Sequence, residues 1–202
     1  MNNKKLIKFT MALTIILSLA ACSKDDSEKT KTTSDEIIHY GVDAKTDYYE
    51  SLDDVEADAT LIVRGVRLEK EEAVIEKSGD AVLSAYTFSE FEITNIYINS
   101  GTQISEGDVI TILENEVYDK DANVVYHIAG YNMMVEGNEY ILFLKENELE
   151  DKIYYVSIGV NYGTVSVEDD DRTTVYNTRE GSAPVSFKAY EDIWENARKK
   201  YK

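Results

Sequence analysis

The sequence predicts a mainly β domain, a small antiparallel barrel with a short helix at its start and an amphipathic helix at its end. Three observations predict it. Between residues 60 and 167, β-branched and aromatic runs recur at short spacing, separated by glycine and other turn residues. Two stretches flanking those runs, residues 47–59 and 186–201, carry helical spacing instead. Hydrophobic residues make up 43% of the 202-residue chain, enough for a core and too many for a disordered polymer.

The chain opens on an address. Lys4, Lys5 and Lys8 precede a largely apolar run, Phe9 to Ala20. That run is too short for a membrane span, which takes about 20 residues. Leu19-Ala20-Ala21-Cys22 follows and resembles a bacterial lipobox. The resemblance implies that residues 1–21 are a lipoprotein signal peptide, cut before Cys22, whose thiol carries a diacylglyceryl group. Small side chains at Ala20 and Ala21 suit a peptidase groove, and Cys22 is the one thiol in the chain. The expected location is the extracytoplasmic face of a cell membrane, held by the lipid at Cys22. The lysine-rich, proline-poor style suits a Gram-positive one. Residues 22–36 carry no apolar side chain beyond the cysteine and read as a disordered polar tether, spanning about 20 Å.

One domain, residues 37–202, follows. Ile37 to Tyr40 reads as an edge segment. Tyr48, Leu52, Val55 and Ala59 then share one helical face, with acids clustered near the helix start. Residues 60–68 form a strand with Gly65 at its middle, the mark of a bend or bulge. Ser78-Gly79-Asp80 is a hairpin turn into a long strand over residues 82–98. Its apolar phase changes between Tyr86/Phe88 and Phe91/Ile93, which also predicts a bulge. Further strands are predicted over residues 109–118, 139–144, 153–158 and 164–167. The closing helix, 186–201, is capped by Ser186 and anchored by Trp194. Arg198, Lys199 and Lys200 stand where the helix dipole favours cations.

The formal charge of −18 becomes about −21 once a leader with three lysines and no acid is lost. Such a body does not suit a nucleic-acid backbone. One cysteine excludes an intrachain disulfide and a cysteine-rich zinc site. His39, just past the tether, and His127 stand far apart and do not make a zinc site; His127, beside Tyr126 and Ile128, reads as a hydrogen-bonded strand residue rather than a catalytic base. No nucleophile elbow or phosphate-cradling loop is present. No cofactor is expected. Asp119-Lys120-Asp121-Ala122-Asn123 starts like a calcium loop, but Val124 stands where glycine is needed and Gly130 where the closing glutamate belongs. Glu168 to Asp171 is a denser acidic turn. An acidic Ca2+-binding lipoprotein and a carboxylate-based envelope hydrolase are therefore the alternative functions. The hydrolase would show two carboxylates in a cleft with their pKa values driven apart.

Three segments set the fold class more finely: Ala57 to Gly65; Phe91 to Tyr97 with Gly107 to Ile110; and Val135 to Leu144. Their order and spacing resemble the TIMP and netrin-type OB-fold and related bacterial secreted proteins, over residues 57–167. The resemblance implies an OB-like barrel whose long first strand bends near Gly65, with a tight turn at Gly137-Asn138. The inhibitory mechanism of that group does not transfer, because it needs an N-terminal cysteine at the barrel and Cys22 is expected to be lipidated and remote. The OB face on strands two and three places the expected binding surface at Tyr86, Phe88, Tyr97 and Tyr118. The function expected is a non-enzymatic binding module for an envelope protein, peptide or glycan.

Overall fold

The computed structural model describes residues 37–79, 81–168 and 187–202. The leader, Cys22, the tether, Asp169 to Asp171 and the Ser186 cap lie outside the described residues. In chain order the elements are β1 (Ile38–Val42), α1 (Leu52–Asp58), β2 (Leu61–Ser78), β3 (Ala81–Asn99), β4 (Val109–Glu114), β5 (Glu116–Asp119), β6 (Val124–Ile128), β7 (Glu139–Leu149), β8 (Lys152–Ser157), β9 (Thr164–Ser166) and α2 (Phe187–Tyr201).

The long β2–β3 hairpin organises the larger sheet, ordered β2-β3-β4-β8-β7-β9, and β2 also pairs with β7. Five strands thus form a ring, but an uneven one. β4 meets β8 in parallel over only two residue pairs, Ile112↔Tyr155 and Leu113↔Val156. The sheets do not make a closed barrel, which corrects that part of the expectation. The mainly β class and the C-terminal helix stand. The cause is local: β4 stops at Glu114, and the chain leaves the sheet at Asn115 to start a second one.

Gly65 sits where the β2–β3 register shifts, as a bulge requires. A Cβ there would overlap the Glu92 carbonyl oxygen and come within 2.6 Å of Phe91 Cε1. Only glycine lets β2, β3 and β7 approach at that point.

β7 is buried on both faces, as its continuous apolar run requires. Tyr140, Leu142 and Leu144 fill the ring with Leu61, Val63, Phe91 and Ile112. Ile141 and Phe143 point the other way, onto α1 and α2. Trp194 anchors that helical layer, its Nε1–H donating to the Asn161 carbonyl at 3.1 Å. α1 is shorter than the predicted 47–59. Ser51 caps it, accepting from the Asp54 N–H at 3.3 Å. Tyr49, not Tyr48, is therefore the buried aromatic at its start (8% against 64% exposed).

The second sheet, β1-β6-β5, was not predicted as a unit. β6 runs antiparallel to β5 and parallel to β1, from Ile38↔Val124 to Val42↔Ile128. No described helix is long and apolar enough to cross a membrane.

Candidate functional site

The site begins at the fork where β4 ends. Glu114, the last residue of β4, is fully buried. One carboxylate oxygen accepts from Ser89 Oγ at 2.5 Å, the other from the Met134 N–H at 2.6 Å and the Tyr131 hydroxyl at 3.1 Å. The buried Arg67 guanidinium lies 3.7 Å away. Two residues on, Glu116 accepts from the Met133 N–H at 3.0 Å. These bonds fold residues 131–134 under the fork; the Thr87 hydroxyl still donates to the Glu116 carbonyl at 2.6 Å, but ladder pairing with β3 ends at Glu114.

The end of that ladder leaves β3 half-paired. Thr87 to Glu92 lie between β2 and β4, whereas from Ala81 to Tyr86 every residue except Leu83, which bulges out of the register, pairs with β2 alone. The space that a longer β4 would fill is a groove of about 740 Å3. Its floor is the small sheet, with Ile38, Tyr40 and Val42 from β1 and Val124, Tyr126 and Ile128 from β6. Its wall is Ala81 to Tyr86 of β3, every residue in turn. Successive strand residues point to opposite faces, so an unbroken run along a groove means that the strand is presented edge-on. Among the described residues, no acid, base or histidine lines it. Leu83, Tyr40 and Ile38 are 67%, 58% and 56% exposed. Apolar surface of this extent, open to water, marks a contact site.

The opposite face of the small sheet holds the two histidines. His39 Nδ1 lies 2.8 Å from Nε2 of the buried His127, and the rings stack at 5.1 Å. His127 Nδ1 faces the Tyr131 carbonyl at 2.9 Å and Glu116 at 3.0 Å. The pair joins β1 to β6 and so holds half of the groove floor in place. Their pairing follows from the parallel β1–β6 register, which no local sequence signal announces.

Of the predicted surface residues, the structure brings Tyr86 and Phe88 together, with rings 5.1 Å apart at the inner end of the groove. Tyr86 lines the groove, while Phe88 is buried under Tyr154 and Lys152. Tyr97 lies elsewhere, its hydroxyl donating to the Tyr201 carbonyl of α2 at 2.5 Å. Tyr118 is on the histidine face, donating to Asn123 at 2.7 Å. The four do not share one surface. Sequence reasoning missed the six floor residues and Leu83. A signal was present in Ala81 to Phe88, a charge-free run in a chain with 30% charged residues.

The Asp119–Asn123 segment is a tight turn. Asp119 accepts from the Asp121 and Ala122 N–H groups, both at 3.2 Å, and pairs with Lys77. The lysine and these bonds hold its carboxyl below the usual aspartate range. Among the described residues, no group of three or more His, Cys, Asp or Glu side chains converges as a metal site. No protein-family model matches the chain, and no curated protein matches it.

Proposed function

We propose that this is a lipid-anchored extracytoplasmic binding module of a bacterial cell envelope, which engages an envelope polypeptide in the groove beside β3. The apolar groove is the observation that carries the reading. A glycan needs polar groups on its pocket walls, and this lining is mostly aliphatic and tyrosine, which favours a polypeptide over a sugar. The body is OB-like: β2, β3, β4, β8 and β7 follow the ring of a partly open five-stranded Greek-key barrel. The lipobox at Cys22 supports the membrane location, and the polar tether supports a body held off an anionic leaflet that its charge repels.

The test is photocrosslinking in cells from a reactive residue at Leu83, with Tyr97 as the control position. A dominant envelope protein captured from Leu83, and not from Tyr97, supports the reading. Equal capture from both positions, or none, overturns it. Cys22→Ser is expected to move the protein from the membrane to the soluble fraction. Retention in the membrane would overturn the anchor.

A further inference from the structure

We infer that the groove takes its partner as an added β-strand, an extended peptide laid along the open edge of β3. This rests on the groove being the binding site and names the form in which the occupant binds.

The first observation is the edge itself. Ile93 directs its N–H to the Asp108 carbonyl at 3.0 Å and accepts from the Gly107 N–H at 2.7 Å, both on the β4 side. Backbone groups alternate sides along a strand, so Phe91, Ser89, Thr87 and Ala85 present theirs to that same side. Thr87 finds Glu114 there. Past the last β4 pair, Ala85 is the next residue on that side, so by the same alternation its N–H and C=O face the groove. A buried occupant would have to satisfy them. A polypeptide backbone does so in the register that β4 has already set, whereas an acyl chain cannot. Six residues of strand, about 20 Å, cover Ala81 to Tyr86, regular from Ser84 to Tyr86 and crossing the bulge at Leu83.

The second observation compares the two strands of the hairpin. Beyond β7, β2 also pairs on one side only, and its residues 69–77 read EKEEAVIEK, six of nine charged. Charges of this kind are how proteins guard a strand edge. Across the same hairpin, Ala81 to Tyr86 reads AVLSAY, with none. One edge is protected and its partner is left open beside an apolar floor. Pairing through backbone with alternate side chains in an apolar groove is the logic of strand addition.

Charge selects the class of occupant. The chain carries −18, so a second copy is repelled while a neutral or basic segment is not. The peptide expected is extended, apolar at alternate positions and flanked by lysine or arginine.

The experiment presents the full chain in phospholipid nanodiscs to a phage-displayed library of random twelve-residue peptides, with empty nanodiscs as subtraction. The expected selection alternates apolar and polar residues over about six positions. Ala85→Pro removes the outward N–H at an edge that tolerates proline and should weaken the selected peptides about tenfold, while Ala85→Val does not. The same peptides N-methylated on the amides facing β3 should fail, and those methylated on the alternate amides should bind. That arm needs no variant to fold. Apolar residues spaced three and four apart, or indifference to N-methylation, would overturn strand addition and leave the groove reading intact if Leu83→Asp still abolishes binding. No selection above empty nanodiscs would overturn the inference, and absent crosslinks from Leu83 would then remove the proposed function too. A dimer at physiological salt that Ala85→Pro dissociates would assign the edge to a second copy and overturn the peptide.

Discussion

Replacing Arg67 by methionine tests the fork that opens the groove. Arg67 is 4% exposed, Glu114 is fully buried, and their charged groups stand 3.7 Å apart. At an effective dielectric near 20, charges at that distance attract by about 4 kcal/mol. Removing one member of such a pair also leaves the other charge buried, and costs about 3–5 kcal/mol. Glu114 would keep its bonds from Ser89, Tyr131 and Met134, so Arg67→Met belongs at the lower end, near 3 kcal/mol. Glu114→Gln should cost a similar amount, because an amide NH2 would face donors. Together the two changes should cost less than their sum by about 2 kcal/mol, since removing both charges leaves no uncompensated one. Urea unfolding followed by fluorescence of Trp194, the sole tryptophan, measures this. With a slope of about 2 kcal/mol per molar, the Arg67→Met midpoint falls by about 1.5 M. A fall below about 0.3 M, or single effects that simply add, would refute the idea that this pair fixes the end of β4.

Gly65→Ala should destabilise by about 1–3 kcal/mol, because the added methyl overlaps the Glu92 carbonyl where three strands meet, and an unchanged urea midpoint would contradict the packing described. Stability should also fall as pH rises from 10 to 12. Burial pushes the Tyr155, Tyr190 and Tyr201 hydroxyls up from 10.0 to about 12. Above pH 10 the unfolded chain therefore releases protons that the folded one retains. The stabilisation is complete below the unfolded value and lost on approach to the folded one. The share of Tyr190 is roughly 3 kcal/mol, and Tyr190→Phe should flatten the decline in urea midpoint with pH. A midpoint constant from pH 9.5 to 12 would refute this.

Elements that bury a continuous or alternating apolar face close to their turns were legible in the sequence. β7, the bulge at Gly65 and the Trp194 helix face are local patterns with one physical solution each. The small sheet was not: β6 carries no predicted strand range, the predicted 109–118 strand breaks at Asn115 into β4 and β5, and nothing pairs the edge segment at Ile37 to Tyr40 with either. Each strand of that sheet has four or five residues, and β1 joins β6 by parallel pairing across more than eighty positions, where neither strand's own pattern names its partner. His127 is the hydrogen-bonded strand residue expected, but its pairing with His39 was hidden for the same reason. His39 and His127 are 88 residues apart, and only the register places their nitrogens 2.8 Å from each other. Three of the four expected surface residues are tyrosines, yet tyrosine spends its hydroxyl on the fold at Tyr97 and Tyr118. Charge along the hairpin was the better guide. A strand that must face water is guarded, so a missing guard at Ala81 to Tyr86 is information about contact rather than about packing.

Under the proposed anchoring, an unguarded edge is a hazard, because copies of the same chain concentrated on a membrane would meet edge to edge. The net charge of −18 offers the counterweight. It acts on every copy and leaves a basic or neutral segment free to approach. That protection depends on salt. Charges interact over about 10 Å at 0.1 M and about 3 Å at 1 M, so high salt should remove the repulsion while strengthening apolar contact. Raising NaCl from about 0.1 to 1 M should therefore cause self-association, seen by light scattering, in the chain carrying Cys22→Ser. Ala85→Pro should suppress that association, because it blocks the backbone edge and spares the apolar floor. Association that survives Ala85→Pro would mean that the exposed face of β1 and β6, not the strand edge, is the adhesive surface. Its absence at 1 M would mean that the edge is closed without help from charge.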